Sequence, residues 1–188
     1  MIARLMFAVG FLLVSIIASE PALAQFSPQF NLIKAADKND AAELQTLLKK
    51  GVSANTRRRI DGYPVLLIAS NKRYTQIVTM LLKNGGDPNI QSRERGVSAL
   101  MGRAESEDIN MMRLLLDHNA DVNLRDKSGE TALLKAVRNR KSRAAKMLLE
   151  AGANPNFGDA TGNTALSYAK RSRSKRMIKM LEEAGATE

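Results

Sequence analysis

A single histidine, His118, and no cysteine stand in a chain of 188 residues. The side chains available for chemistry are therefore carboxylates, amines, guanidiniums and hydroxyls. One His without Cys, and without an Asp/Glu pair at ligand spacing, makes neither a metal site nor a nucleophilic triad. His118 instead precedes Asn119 at the end of an apolar helical stretch, where a partly cationic ring suits the helix dipole. Without thiols, Cys nucleophiles and redox sensing are removed as well. No glycine-rich phosphate loop is present, because Asn84-Gly85-Gly86-Asp87 belongs to a recurring turn. The nine Met residues fit irregular cores rather than a cofactor box. Neither catalysis nor a cofactor is expected. What remains is recognition by charge: 29 basic against 19 acidic residues leave +10, which favours an anionic partner.

That charge is unevenly placed. Between Lys135 and Lys146 lie six basic residues and no acid: Lys135, Arg138, Arg140, Lys141, Arg143 and Lys146. Lys170, Arg171, Arg173, Lys175, Arg176 and Lys179 repeat the pattern. Such runs are commonly solvated faces. Their regular separation raises a second reading, a patch for an anionic partner made by Arg138, Arg140, Lys141, Arg143, Arg171, Arg173, Lys175 and Arg176. Glu105, Glu107 and Asp108 form an acidic counterpart upstream, and Arg57-Arg58-Arg59 is a separate basic stretch.

The elements that must position these groups recur at a fixed period. Gly51-Val-Ser-Ala-Asn55 returns as Gly85-Gly-Asp-Pro-Asn89, Asn119-Ala-Asp-Val-Asn123 and Gly152-Ala-Asn-Pro-Asn156, and begins again at Gly185. The steps are 34, 34, 33 and 33 residues. A period of this size means stacked units, each burying its apolar face against its neighbours. Gly62, Gly96, Gly129 and Gly162 open successive units. Ser98, Thr131 and Thr164 then suit helix N-caps, since the hydroxyl accepts a first-turn N–H. A short first helix ends near Asn71, Ser106, Asn139 and Ser172. The second helix carries paired aliphatics, as in Ile77-Val78 with Met80-Leu81-Leu82, spaced for one buried face. Gly51, Gly85, Gly152, Gly185 and Asn119 are placed to close these helices in the left-handed conformation.

Gly-x-Thr-Ala-Leu, a helix, Ile-Val-x-x-Leu-Leu and Gly-Ala-Asp-x-Asn together resemble the ankyrin repeat, best over Asp126 to Gly158. The resemblance implies an all-α solenoid of about five helix–turn–helix units with β-hairpin-like loops, over residues 31–186. The units are expected at about 31–57, 59–91, 93–125, 126–158 and 159–186, the outer two as caps. Glu182 and Glu183 suit a solvent-facing last helix. The family's Thr-Pro-Leu-His motif is not intact, with Leu67, Met101, Leu134 and Ser167 in place of His. Arg103 falls where other units place Ala69, Ala136 and Ala169. It cannot be buried bare. Either its stem packs while its head reaches Glu107 or Asp108, or it is a recognition residue.

Members of this family usually bind proteins on a concave face lined by the loops and first helices. The resemblance places Arg57, Asp61, Tyr63, Glu94, Arg95, Lys127, Ser128, Glu130, Thr161 and Asn163 there from the loops. From the first helices it places Asn71, Lys72, Glu105, Ser106, Arg138, Asn139, Arg171 and Ser172. Tyr63 is the expected aromatic anchor, whereas Tyr74 and Tyr168 are expected to pack in the core.

A three-part leader precedes the repeats: basic Met1 to Arg4, apolar Leu5 to Ala18, and Ala22-Leu23-Ala24 for a signal peptidase. Residues 1–24 are expected to be removed after Ala24, with 25–30 a short lead. The apolar run of 14 residues is short of the roughly 20 that span a bilayer. The expected location is the bacterial periplasm, with secretion as the alternative, and nucleic acid is not an expected partner there. The expected function is non-catalytic: a monomeric scaffold or accessory protein binding a partner of acidic character, with membrane contact at most peripheral. Resemblance to exported bacterial ankyrin proteins implies a chaperone-like role or a link to peroxide defence. The alternatives are a binder of anionic envelope lipid or polymer through the basic turns of units four and five, and a secreted effector of a host protein.

Overall fold

The computed structural model describes residues 27–187. The leader and its cleavage site after Ala24 lie outside the described residues. Among the described residues ten helices come in pairs: α1 (Pro28–Asp37) and α2 (Ala41–Lys49), α3 (Val65–Asn71) and α4 (Thr75–Lys83), α5 (Ala99–Glu105) and α6 (Ile109–Asp117), α7 (Ala132–Arg138) and α8 (Ser142–Glu150), α9 (Ala165–Arg171) and α10 (Lys175–Glu183). The expected all-α repeat solenoid is the observed fold.

Local signals set each helix. The hydroxyls of Ser98, Thr131 and Thr164 accept the N–H of Met101, Leu134 and Ser167 at 3.2–3.4 Å, satisfying one orphan donor in each first turn. Asn119 closes α6 at φ 62°, matching Gly85 after α4 at φ 81°. The turn inside each pair also needs a left-handed residue, and there the chain uses Asn39, Arg73, Glu107, Arg140 and Arg173, all at φ between 53° and 60°. The sequence signal for these is weak, because Arg and Glu rarely adopt that region.

The first helices α1, α3, α5, α7 and α9 stack in one row, and the second helices pack on its outer side. A single apolar cluster runs through the row from Leu32 to Leu181. Between pairs the chain forms hairpin-like loops, with antiparallel bridges at Arg57–Pro64 and Gly158–Thr164.

Two polar ladders lock neighbouring loops. The Oδ1 atoms of Asn55, Asn89, Asn123 and Asn156 accept the N–H of Asp87, Asp121, Asn154 and Thr187 at 2.7–2.8 Å. In the second ladder Arg57 Nη1 donates to Gln91 O, Gln91 Nε2 to Arg125 O, and Arg125 Nη2 to Gly158 O, at 2.6–2.9 Å. The recurring Asn is thus a rung between units as well as a turn residue.

Candidate protein-binding groove

Hairpins and first helices of adjacent units bound a common groove. Within it lies a pocket of about 210 Å³ between Tyr63, Asn71, Ser92, Val97, Gly102, Arg103 and Lys135, with Glu94, Arg95 and Glu105 also lining it. The groove floor is set by one column of first-helix residues: Ile68, Gly102, Lys135 and Tyr168. Ile68 and Lys135 are buried, Tyr168 is half-buried, and Gly102 supplies no side chain.

Unit four fills its floor with charge. Lys135 Nζ lies 2.8 Å from both Asp126 Oδ2 and Glu130 Oε2, and all three side chains are buried. Burial pushes the Lys135 ammonium down, but the two carboxylates outweigh this and hold it above its ordinary value. Glu130 also accepts from the Arg138 guanidinium. In unit five, Tyr168 donates its hydroxyl to Asp159 Oδ2 at 2.6 Å. Burial raises Asp159, yet hydrogen bonds from Thr161, Tyr168 and Asn163 hold it well below the ordinary carboxylate range.

Unit three is different. Arg103 is 8 % exposed, and its Nη2 donates to Asn71 Oδ1 of the preceding unit at 3.0 Å. Its Nε–H is buried without an acceptor among the described residues. Desolvation lowers the guanidinium's pKa, with Asp108 opposing. The expected pairing of Arg103 with Glu107 is not formed. Glu107 accepts the backbone N–H of Arg143 at 2.9 Å, because the left-handed turn carries its side chain across to unit four. Asp108 caps α6 at Met111 N and faces Arg73 at 3.5 Å.

The residues expected on the groove divide by exposure. Asn71, Lys72, Glu94, Arg95, Glu105, Lys127, Arg138 and Arg171 are exposed, whereas Arg57, Tyr63, Asn139 and Asn163 are half-buried. Glu130 is a correction: it is 6 % exposed and committed to Lys135 and Arg138, so it supports the floor rather than offering a contact. Arg57 belongs to the inter-hairpin ladder. Asp61 is held by Arg58 at 2.5 Å, and this hydrogen bond with the Tyr63 N–H lowers its carboxyl to about 2. Tyr63 is fixed at the rim: its hydroxyl accepts Asn71 Nδ2 at 2.9 Å and Arg58 lies over its ring. Lys72 reaches back to Asp37 at 2.7 Å. Tyr74 packs against the core as expected. Tyr168 also packs against the core as expected, and its half-buried ring in addition faces the groove, where Arg171 lies over it and bonds Asn163 at 2.8 Å.

The basic runs split between two faces. Lys135 is buried, and Arg138 and Arg171 turn to the groove. Arg140, Arg143, Arg173, Lys175 and Arg176 are exposed at the helix turns, with Lys141 half-buried. Arg143 pairs with Glu107 at 3.4 Å and Arg73 with Asp108 at 3.5 Å, so two of the three acids in the turn of unit three are met by its neighbours on either side. A shallow cleft of about 600 Å³ on this side is lined by Arg73, Glu107, Arg143, Lys146 and Arg176 among others.

Sequence reasoning missed three residues. Ile60 is 89 % exposed at a hairpin tip, and the signal was an aliphatic flanked by charge inside a turn. Gly102 and Asp126 become visible only when the floor column and the hairpin base are aligned across units.

Among the described residues no His/Asp/Glu cluster could hold a metal ion, and no helix is long and apolar enough to cross a membrane. No curated protein gives a match to the chain. A family model described as ankyrin repeats (3 copies) matches residues 32–126, 66–159 and 100–187. These matches extend over nearly all the described residues, and the chain therefore belongs to the ankyrin-repeat family, whose members are generally non-catalytic protein-binding scaffolds.

Proposed function

We propose that this protein is a non-catalytic scaffold or accessory protein of the bacterial periplasm that binds a partner protein in the groove between its hairpins and first helices. The observation that carries the reading is the groove itself. Its floor carries the paired polar groups of Lys135 and Tyr168 in units four and five, its rim side chains are pre-fixed by Tyr63–Asn71 and Arg171–Asn163 hydrogen bonds, and exposed Glu105, Arg138 and Lys127 stand along it. Rim groups already ordered lose little entropy on binding. The leader at residues 1–24 supports export, and the resemblance to exported ankyrin proteins supports an accessory role, chaperone-like or linked to peroxide defence.

The test is a photo-crosslinker placed at Glu105 or Arg171, compared with Arg113 on the outer helix α6, in cells expressing the full chain. A discrete adduct from the groove positions alone is expected in the periplasmic fraction, with a processed N-terminus at Gln25. Adducts of equal yield from Arg113, or none from either groove position, would sink the groove reading.

One observation favours a second reading. Arg140 and Arg173 occupy the same left-handed turn position in adjacent units, and Arg143, Lys146 and Arg176 line the cleft beside them. This face suits an anionic envelope lipid or polymer.

A further inference from the structure

The hairpins of the last two units follow a rule that unit three breaks. Backbone pairing makes Ser92, Asp126 and Asp159 equivalent, since each donates its N–H across the hairpin at 3.0 Å, to Val97, Glu130 and Asn163. In units four and five this position is a carboxylate that holds the groove-floor residue: Asp126 to Lys135 at 2.8 Å, and Asp159 to Tyr168 at 2.6 Å. In unit three the carboxylate is replaced by Ser92 and the floor residue by Gly102. Both halves of the internal pair are missing at once, and the space they leave is the 210 Å³ pocket.

Nothing in the backbone requires glycine there. A Cβ on Gly102 would meet only Asn71 Oδ1, at 3.8 Å, and glycine weakens a helix interior. Its effect is to keep the floor open. Beside that opening sits Arg103, buried, with one neutral acceptor in Asn71 and an Nε–H that has none among the described residues. Buried cations are ordinarily paired and buried N–H groups ordinarily bonded. Arg103 has no carboxylate bonded to it and leaves its Nε–H without an acceptor, with Asp108 acting only through space, although Lys135 one unit away is fully paired.

We propose that this pocket is the anchor point of the groove and takes one carboxylate side chain, Asp or Glu, from the bound protein. That carboxylate supplies to Arg103 in trans what Asp126 supplies to Lys135 within unit four. Glu94 and Glu105 on the exposed rim repel a polyacidic segment, so the fitting sequence is a single acidic residue with neutral or basic neighbours. The inference rests on the groove being the partner face.

The experiment is an NMR titration of the isotope-labelled full chain with N-acetyl-glutamate N-methylamide. N-acetyl-glutamine N-methylamide and sodium chloride at equal ionic strength serve as controls. The glutamate probe should produce saturable shifts at the Gly102 N–H and the Arg103 Nε–H. The glutamine probe should bind at least about ten-fold more weakly, as expected for a charge-assisted bond. Gly102→Leu, which fills the pocket and keeps the charge, and Arg103→Met, which keeps the stem and removes it, should each abolish the shifts. No saturable shift in the natural chain, equal response to both probes, or a Glu105 carboxylate found already seated on Arg103 would overturn the proposal. The two readings fail separately: a crosslinked adduct at position 105 without any glutamate-probe binding removes the pocket and leaves the groove, whereas absence of groove adducts removes the groove reading itself.

Discussion

At the scale of single residues, the buried charges are where the sequence pattern and the fold part company. A run of basic residues reads as a solvated face, yet its first member, Lys135, lies inside between Asp126 and Glu130, with side chains only 3–8 % exposed. The exposed remainder of the run was legible; the burial of Lys135 was not, because it depends on two acids that the hairpin folds back over the helix. Breaking such a triad leaves uncompensated charge, so Lys135→Met should cost about 3 kcal/mol in urea unfolding at neutral pH. A loss below about 0.5 kcal/mol, the range of an ordinary surface change, would contradict the internal pairing. The folded ammonium lies above its ordinary value of 10.5. Its contribution is therefore complete below that pH and disappears as pH rises through the folded value, and Lys135→Met should flatten this alkaline limb. Asp159 has the opposite sign. Its folded carboxyl is held below the ordinary 3.8, so its stabilisation is present above that value and fades as pH falls beneath it. In Asp159→Asn, the difference in melting temperature between pH 7 and pH 3 should shrink, and an unchanged difference would remove Asp159 from the acid limb.

At the scale of elements, helix starts and stops were readable because each is a local requirement. Ser or Thr accepts a first-turn N–H, and Gly or Asn takes the left-handed closure. The turn inside each pair was not marked in the same way. Four of its five left-handed positions hold Arg or Glu, whose Cβ disfavours that conformation. The chain tolerates the strain because the flanking helices are packed on both sides. It also gains from where the turns direct charge: Glu107 reaches Arg143 across units, while Arg140 and Arg173 point outward. Arg140 is exposed, and glycine suits its φ of 57°. Arg140→Gly should thus stabilise the chain by about 0.5–1 kcal/mol, net of glycine's greater backbone entropy. Destabilisation by a similar amount would show that the Arg140 side chain holds the turn through contacts of its own.

At the scale of the whole molecule, a solenoid has only nearest-neighbour contacts, so its cooperativity depends on what joins one unit to the next. The period made the stacking legible, but not the ladders, since a rung such as Asn89 to Asp121 joins residues that the one-dimensional pattern places in separate copies. Asn89→Ala should cost about 1 kcal/mol by leaving the Asp121 N–H without its acceptor. It should also lower the urea m-value by separating the first units from the last; an unchanged m-value would place the coupling in the apolar row alone. The same geometry divides the molecule's positive charge into two faces with different salt behaviour. Arg138 and Arg171 are tied into the groove at Glu130 and Asn163, so reversing them would disturb the groove along with the turns. The clean set is Arg140, Arg173, Lys175 and Arg176 to Glu, all exposed and all on the turn side. Exposed charges are screened strongly once the Debye length falls from about 10 Å at 0.1 M salt to about 3 Å at 1 M. Binding to anionic vesicles through the turns should therefore collapse on raising salt and in the four-fold reversal, while the crosslinked adduct at position 105 persists in both. Loss of that adduct in the reversal, with the helical spectrum unchanged, would show that the turn face and the groove contact the same partner.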